Sequence, residues 1–318
     1  MAGLLAGCGS SEPLRGDGGP APSEATSPTP APSSAPTTAE VARIDSLAIW
    51  ILQRSHPRSV RFSGTDGTEL TVRSDGGDRS ATDGPVVVER TGSRLRVRAA
   101  GRTVQTGGVR VETPSGAPIR VQTGSIDRRY SGSFHVAPVP DGPDLRIVNR
   151  VDLETYVAAV VATEFPFEEL EGVKAQAVIA RTYALRVQRR NEDQPYDLTD
   201  NSASQAYHGL EDVTELTRQA ARQTHGEILT YRDRPIEAVY SASSGGYTAD
   251  NDVVWSTSPV PYLRGKSDPH DRESPHQEWT FQIQADALHG LLSERYGFEV
   301  EEIEFLDPGP SGRYESVR

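Results

Sequence analysis

The sequence predicts an α+β protein in which an antiparallel, β-rich N-terminal region precedes a mixed helix/strand domain, with a disordered tether in front. Three observations lead to this prediction. Residues 43–148 alternate apolar and polar side chains between glycine-rich turns, helical periodicity begins at Asp152, and residues 9–40 are almost entirely Pro, Ala, Ser, Thr and Gly. Alternation with period two is typical of half-solvated strands, whereas spacings of three and four residues indicate amphipathic helices.

The composition limits the classes of function. Apolar residues make up 35% of the 318 residues, and the formal net charge is −12. This acidic balance argues against a nucleic-acid-binding protein, which is normally basic, and against a polybasic membrane-surface protein. Cys8 is the single cysteine, which excludes an internal disulfide framework and a multi-cysteine zinc site. No run of apolar residues approaches the length of about 18 that a membrane-spanning helix needs.

The first residues resemble a secretion signal. Leu5-Ala-Gly-Cys8 is similar to the lipobox of bacterial lipoprotein signal peptides, in which the cysteine is acylated. Only seven residues precede Cys8 and none is basic, so residues 1–8 are interpreted as a truncated signal. The resemblance implies lipidation at Cys8, an extracytoplasmic location and a membrane contact made only through a lipid anchor. The alternative is a free cysteine in a tail.

Residues 9–40 are predicted to form an extended tether. All but six of them are Pro, Ala, Ser, Thr or Gly. Such a segment cannot bury enough apolar surface to offset the conformational entropy lost on ordering. A lipidated cysteine followed by this tether would hold a globular domain away from a membrane.

The β-rich region contains five clear strand patterns with apolar side chains on one face and Arg, Glu or Thr on the other. They predict a half-solvated antiparallel sheet or a small barrel that serves as a scaffold. The predicted strands are Glu69–Arg73, Pro85–Arg90, Arg94–Arg98, Val109–Glu112 and Ile119–Thr123.

Helical spacing then predicts three helices and a hairpin. Asp152 is expected to cap the first helix, and Pro166 interrupts the chain after it. The second helix carries a stripe made mostly of alanine, so another element is expected to pack very close to it. Gly226 is suited to end the third helix. The helices are predicted at Leu153–Thr163, about Glu168–Arg190 and about Val213–Thr224, and the hairpin strands at Glu227–Tyr231 and Ile236–Ser241.

Glu164 occupies an unusual position between an apolar helix end and Phe165-Pro166-Phe167. A carboxyl group flanked by two aromatic rings and a proline is expected to be poorly hydrated, and desolvation raises the pKa of a carboxyl group. Such a group can stay protonated near neutral pH and act as an acid. The alternative is a surface glutamate at a helix end, with the two phenylalanines anchoring the loop.

Two further segments are rich in hydrogen-bonding groups. Ser202–Gly209 has no strong period, and Tyr240–Thr248 follows a predicted strand. Glycines let a backbone approach a ligand closely, and hydroxyl groups suit a polyol. The alternative for the second segment is a plain turn, and a serine nucleophile there would need a positioned histidine base.

The sequence from 128 to 270 resembles the stage II sporulation protein D family (the SpoIID/LytB domain). The similarity lies in ordered blocks, with Tyr130–Phe134 similar to the block that opens the family's domain. The other blocks are Leu145–Tyr156, Val160–Pro166, Lys174–Leu185, Ser204–Gly209, Ser241–Thr248 and Trp255 with Pro261–Leu263. The resemblance implies a SpoIID-like catalytic domain at 128–318, and the strand patterns before it make 41–127 the β-rich N-terminal region. It also implies that this domain continues past Arg318.

The family includes peptidoglycan lytic transglycosylases, which implies that this chain cleaves the MurNAc–GlcNAc bond and leaves 1,6-anhydro ends. The family's catalytic glutamate lies in a Glu-Met-Pro motif that matches Glu164-Phe165-Pro166. Some members hold zinc with Cys and His near the Gln-x-Tyr block, where this chain offers only His208. We therefore expect no metal and no other cofactor. Residues expected to bind glycan are Arg181, Gln205, Tyr207, Ser241, Ser243, Ser244, Gly245 and Gly246, with Asp268 and Asp271 as weaker candidates.

Three alternatives remain open at this point. Arg181 lies near the edge of the alanine stripe, so it would either order the Glu164 loop or serve the fold through a partner carboxylate. Relatives of the LytB type are described as enhancers of autolysin amidases, so the chain would instead be a non-catalytic wall-binding partner of an amidase. A serine-dependent acyl hydrolase is a third alternative.

Overall fold

A computed structural model describes residues 45–274, 279–306, 308–314, 316 and 318. These residues divide into two compact units, one ending at Val239 and the other beginning at Tyr240. The predicted signal, lipidation at Cys8 and tether lie outside the described residues and stay predictions. The predicted α+β class is confirmed, because helices follow a strand-rich region built mainly of antiparallel sheets.

The first unit contains the strands and three of the helices. Its strands are β1 (Ser46–Ile51), β2 (Ser59–Gly64), β3 (Leu70–Ser74), β4 (Arg79–Thr82), β5 (Val86–Thr91), β6 (Arg94–Ala99), β7 (Arg102–Thr106), β8 (Val109–Glu112), β9 (Ile119–Thr123), β10 (Ile126–Tyr130), β11 (Ser133–Pro138), β12 (Leu145–Asp152), β13 (Leu198–Thr199), β14 (Thr230–Tyr231) and β15 (Arg234–Pro235). Its helices are α1 (Leu153–Glu164), α2 (Leu170–Arg190) and α3 (Glu215–Gln223).

Two large sheets share one hydrophobic core. The first has the order β13-β1-β12-β11-β8-β3-β4, and the second has the order β10-β9-β2-β5-β6-β7. All the pairings in them are antiparallel except the parallel pairing of β1 with β13. Phe62 from one sheet and Phe134 from the other meet with ring centroids 5.1 Å apart, and both are buried. The five predicted strands are all present, within one residue of their predicted ends.

The three helices pack through small residues, as the alanine stripe predicts. Ala177, Ala180 and Ala184 of α2 have no exposed surface, and Ala220 of α3 is equally buried. Small side chains allow helix backbones to approach closely. α2 begins at Leu170 because the Glu169 side chain caps it, accepting hydrogen bonds from the N–H groups of residues 171 and 172. α3 is likewise one or two residues shorter than predicted at each end.

The predicted hairpin is present but shorter than expected. Only β14 and β15 pair, and they flank Arg232 and Asp233, which both have positive φ angles. The expectation of a strand at Ile236–Ser241 was wrong. The Ile236 N–H still donates to the Leu229 carbonyl at 3.1 Å, but the Leu229 N–H donates to the Thr182 hydroxyl at 3.0 Å instead of returning a bond to the hairpin, so the pairing goes no further.

Asp152 caps α1 as predicted, since its Oδ1 accepts a hydrogen bond of 2.9 Å from the Thr155 N–H. Replacing it by alanine leaves one of the helix's first N–H groups without its acceptor. We expect Asp152→Ala to lower the free energy of unfolding by about 1 kcal/mol. Chemical denaturation measures this, and Asp152→Asn, which keeps an acceptor, should lose only a fraction of it.

The second unit contains α4 (Asn251–Trp255) and α5 (Ala285–Tyr296). An isolated antiparallel bridge joins Tyr247 to Ser267. In both units, no described helix combines the length and hydropathy needed to cross a bilayer.

Candidate active site

Glu164 is the last residue of α1. The helix stops here because a proline at 166 restricts the preceding residue to non-helical backbone angles, and Phe165 has φ −136° and ψ 73°. The Glu164 side chain is half-buried, and its Oε1 accepts a hydrogen bond of 2.6 Å from the Ala206 N–H. The end of the helix therefore presents one carboxyl group whose orientation is fixed through one of its two oxygens.

The two phenylalanines that follow differ in their surroundings. Phe165 is half-buried against the core, whereas Phe167 has 62% of its surface exposed. Their ring centroids lie 4.6 Å apart. Phe165 therefore packs into the protein whereas Phe167 projects into solvent, so only one of the two flanking rings is half-buried.

A buried polar network holds the Ala206 N–H in place. Its neighbours in the chain, Gln205 and Tyr207, are both fully buried. The Tyr156 hydroxyl donates to Gln205 Oε1 at 3.2 Å, and the Tyr207 hydroxyl donates to Asn149 Oδ1 at 2.8 Å. Buried hydrogen bonds of this kind restrict the segment to one conformation. The segment 205–207 thus positions the donor that orients Glu164.

This arrangement corrects the expectation that Gln205 and Tyr207 bind glycan. A side chain with no exposed surface offers no atom that a polymer could reach. The sequence correctly indicates that Gln205 and Tyr207 form hydrogen bonds. Their partners, however, lie inside the protein rather than on a ligand. Burial raises the pKa of the Tyr207 hydroxyl well above its ordinary value, so this residue stays a neutral donor.

Arg181 requires the same correction. It is fully buried on α2, and its Nε and Nη2 donate to the two carboxylate oxygens of Glu154 at 2.9 and 2.5 Å. Its remaining N–H groups donate to the Glu227 carbonyl at 3.1 Å and the Ala221 carbonyl at 3.3 Å. The guanidinium therefore joins α1, α2 and the end of α3, and its role is in the fold rather than in contact with substrate.

Residues 141–231 match the family model described as Stage II sporulation protein (SpoIID). Glu164, Arg181, Gln205 and Tyr207 all lie in this stretch. The chain carries a SpoIID domain. The family resemblance predicted from the sequence is thereby confirmed for the blocks that lie within residues 141–231.

Individual relatives agree with this assignment. Stage II sporulation protein D of Bacillus subtilis (strain 168) is 35% identical over 151 residues, which cover 42% of this chain and 43% of the relative. The protein of the same name from Bacillus amyloliquefaciens is 34% identical over 144 residues, 40% of this chain and 42% of the relative. A B. subtilis protein named "Amidase enhancer" is 38% identical over 130 residues, 41% of this chain and 17% of the relative. The matched stretch spans less than half the length of each of these relatives.

Tyr183 also lies in the SpoIID domain, but it is not among the site residues predicted from the sequence. It is half-buried on α2, and burial raises the pKa of its hydroxyl, an effect to which the negative charges of Glu237 and Glu164 add. The spacing of α2 could have indicated it, because Tyr183 lies next to the alanine stripe without belonging to it.

The serines and glycines predicted to bind glycan lie in the second unit, where they form a structured loop. The Ser243 hydroxyl donates to Asp271 Oδ2 at 2.5 Å, and the Gly245 N–H donates to the same oxygen at 2.6 Å. Ser244 donates to Asp268 at 3.0 Å, and the Gly246 N–H donates to Asp271 at 3.2 Å. The hydrogen bond from Ser243 is the largest cause that holds the pKa of Asp271 below its ordinary value.

Asp268 and Asp271, the weaker candidates, are thus the partners of this loop. Ser241 in turn donates to the Ser243 carbonyl at 3.2 Å. A glycan at this loop would compete with Asp271 for its donors, and binding by these residues stays a prediction. In the described part of the chain, neither the Ser243 nor the Ser244 hydroxyl donates to a histidine.

His208 is the residue near the Gln-x-Tyr block that could ligate a metal, and the sequence predicts that it holds none. Its Nδ1 lies 3.4 Å from Asp212 Oδ2. Among the described residues, no three His, Cys, Asp or Glu side chains converge as metal ligands would. Cys8 lies outside these residues.

Proposed function

We propose that this protein cleaves the MurNAc–GlcNAc bond of peptidoglycan as a lytic transglycosylase, with Glu164 as the general acid and base. One observation carries the proposal: α1 ends in a half-buried carboxyl group whose Oε1 is held by the Ala206 N–H at 2.6 Å. The other oxygen, Oε2, is then the one that meets the glycosidic oxygen. The match of residues 141–231 to the SpoIID family supports the same assignment.

The reaction needs one carboxyl group. Protonated Glu164 donates its proton to the glycosidic oxygen, and the bond between that oxygen and C1 breaks through an oxocarbenium-like state. The substrate's own C6 hydroxyl attacks C1, and the Glu164 carboxylate takes the hydroxyl proton. Glu164 ends protonated, as it began, and the product carries a 1,6-anhydro end.

The neighbouring glutamates favour this mechanism over hydrolysis. A glycoside hydrolase uses a second carboxylate about 5–9.5 Å from the first. Glu169 is engaged as the cap of α2, where its Oε2 accepts the Gly172 N–H at 2.5 Å. Glu168 is exposed beside it. One oriented carboxyl group suffices for a transglycosylase, which is the arrangement at the end of α1.

The proposed setting is the cell envelope. We infer an extracytoplasmic protein that acts on peptidoglycan strands, is anchored by a lipid on Cys8, and binds no nucleic acid. The match to SpoIID proteins supports a role at the cell wall.

A second function is favoured by one specific comparison. The similarity to the B. subtilis protein named "Amidase enhancer" supports a non-catalytic role, in which the chain binds peptidoglycan and stimulates a cell-wall amidase. The two functions differ in what the purified chain does alone.

Mass spectrometry of digestion products separates the two functions. We expect the purified chain, incubated with glycan strands stripped of peptide, to release fragments that end in 1,6-anhydro sugars. Fragments with reducing ends would instead indicate a hydrolase. No fragments from these strands, together with faster hydrolysis of peptide-bearing peptidoglycan by an added amidase, would contradict the transglycosylase and support the enhancer.

A further inference from the structure

The outer face of the first sheet carries a row of three arginines and one histidine that the proposed glycan chemistry does not use. Arg79 of β4 lies directly opposite Arg73 of β3, which lies opposite Arg110 of β8, which lies opposite His135 of β11. Residues directly opposite on neighbouring strands share a face of the sheet. Since neighbouring strands are about 4.8 Å apart, the row spans about 14 Å.

This row is unfavourable in the isolated protein. Like charges directly opposite each other destabilise a sheet, and the chain as a whole is acidic, with a net charge of −12. All three arginines are exposed. A ligand with negative groups along its length would relieve this repulsion.

A cavity of about 170 Å³ lies at the β8–β11–β12 end of the row. Its polar lining comes from three neighbouring strands and includes Arg110, Ser133, His135 and Arg150. Arg150 lies directly opposite Ser133, and both the Arg110 and the Arg150 side chains are exposed. Guanidinium, hydroxyl and imidazole groups that approach from several sides suit the three oxygens of a phosphate, whereas one bidentate arginine can satisfy a planar carboxylate.

The acidic groups on this face leave a net positive charge. Glu112, which also lines the cavity, pairs with Arg73 at 3.3 Å. Asp75 lies 3.8 Å from His135. In the described part of the chain, neither Arg79 nor Arg110 has a carboxylate within ion-pair distance. Burial lowers the pKa of His135, with Arg110 and Arg146 adding to this effect and Asp75 opposing it. The imidazole is therefore neutral near pH 7 and serves as a hydrogen-bonding group rather than as a charge.

We propose that this face, formed by Arg79, Arg73, Arg110 and His135 and ending in the cavity beside Arg150, binds a linear polymer of phosphate groups. The cavity takes one phosphate, and the row takes those that follow along the polymer. This site is separate from Glu164 and does not rest on the proposed transglycosylase activity.

Binding of inorganic polyphosphate to the full chain tests this proposal. Isothermal titration calorimetry at low salt should detect polyphosphate of about ten or more units, with affinity that falls as salt rises. We expect Arg110→Gln and Arg150→Gln each to weaken binding about tenfold, because each removes a charge-assisted contact. Arg218→Gln, which removes an exposed arginine of α3, should leave the affinity unchanged. Circular dichroism checks that each variant is folded.

Four results would overturn the proposal. Absence of polyphosphate binding would contradict it directly. An equal loss in Arg218→Gln would leave only a general charge effect. Poly-L-glutamate of the same charge binding as tightly through Arg110 and Arg150 would show that the site does not prefer phosphate. Orthophosphate binding as tightly as the polymer would exclude the row from the site. In support, NMR resonances of the His135 ring should shift when polyphosphate is added.

Discussion

Glu164→Gln is expected to abolish the release of anhydro-ended fragments while leaving glycan binding intact. The substitution keeps the shape of the side chain and an oxygen that can accept the Ala206 N–H. It removes the proton that the mechanism transfers. General acid catalysis contributes about 10²–10⁴ to a rate, and here the same group also acts as the base. A loss of at least about a thousandfold in the rate of fragment release is therefore expected.

Glu168→Gln is the matched control for this experiment. Glu168 is an exposed carboxylate four residues further along the chain, and neither the proposed mechanism nor the cap of α2 uses it. Its variant should cleave at the rate of the parent protein. Equal losses in both variants would point to a two-carboxylate hydrolase, and full activity in folded Glu164→Gln would rule out Glu164 as the acid. Pull-down on insoluble glycan strands measures binding in each variant.

Local patterns predicted much of the fold because they are set by nearby residues. The period-two alternation of Val109–Glu112 and Ile119–Thr123 gave both strands with their observed ends. Asp152 caps α1 because its carboxylate reaches an N–H three residues along the same chain. Pro166 likewise acts on its neighbours. Glu164 could be singled out from the sequence for this reason, since its position at a helix end depends on local geometry.

The surroundings of the polar residues could not be predicted in the same way. The sequence shows that Gln205, Tyr207 and Arg181 can form hydrogen bonds, but it does not show which groups are their partners. Tyr207 forms a hydrogen bond with Asn149, 58 positions away in the sequence, and Arg181 forms one with Glu154, 27 positions away. These contacts depend on how β12, α1 and α2 come together. The row of arginines on the outer face of the first sheet has the same origin, because Arg73 and Arg110 lie opposite each other only through the register of β3 with β8.

Arg181→Met is expected to destabilise the SpoIID domain by about 3 kcal/mol or more. Breaking a buried ion pair by removing one partner typically costs about 3–5 kcal/mol, because the other charge is left without compensation. Arg181 has no exposed surface, and the side chain of Glu154 is 18% exposed. The carbonyls of Ala221 and Glu227 lose a donor as well. Equilibrium unfolding in denaturant measures the change.

Two further variants separate this role from contact with substrate. Arg190 lies on the same helix as Arg181, and Arg190→Met removes its exposed ion pair with Glu237. This variant should change stability by less than about 1 kcal/mol. Adding Glu154→Leu to Arg181→Met removes the stranded charge and should restore part of the loss, since an apolar pair can replace a buried ion pair. If Arg181 instead bound glycan, Arg181→Met would keep the stability of the parent protein and lose only affinity for glycan strands. A buried guanidinium joined to α1, α2 and the end of α3 predicts that Arg181→Met loses stability, while the fraction that stays folded still binds glycan. Any loss of cleavage should then match the fraction of unfolded protein.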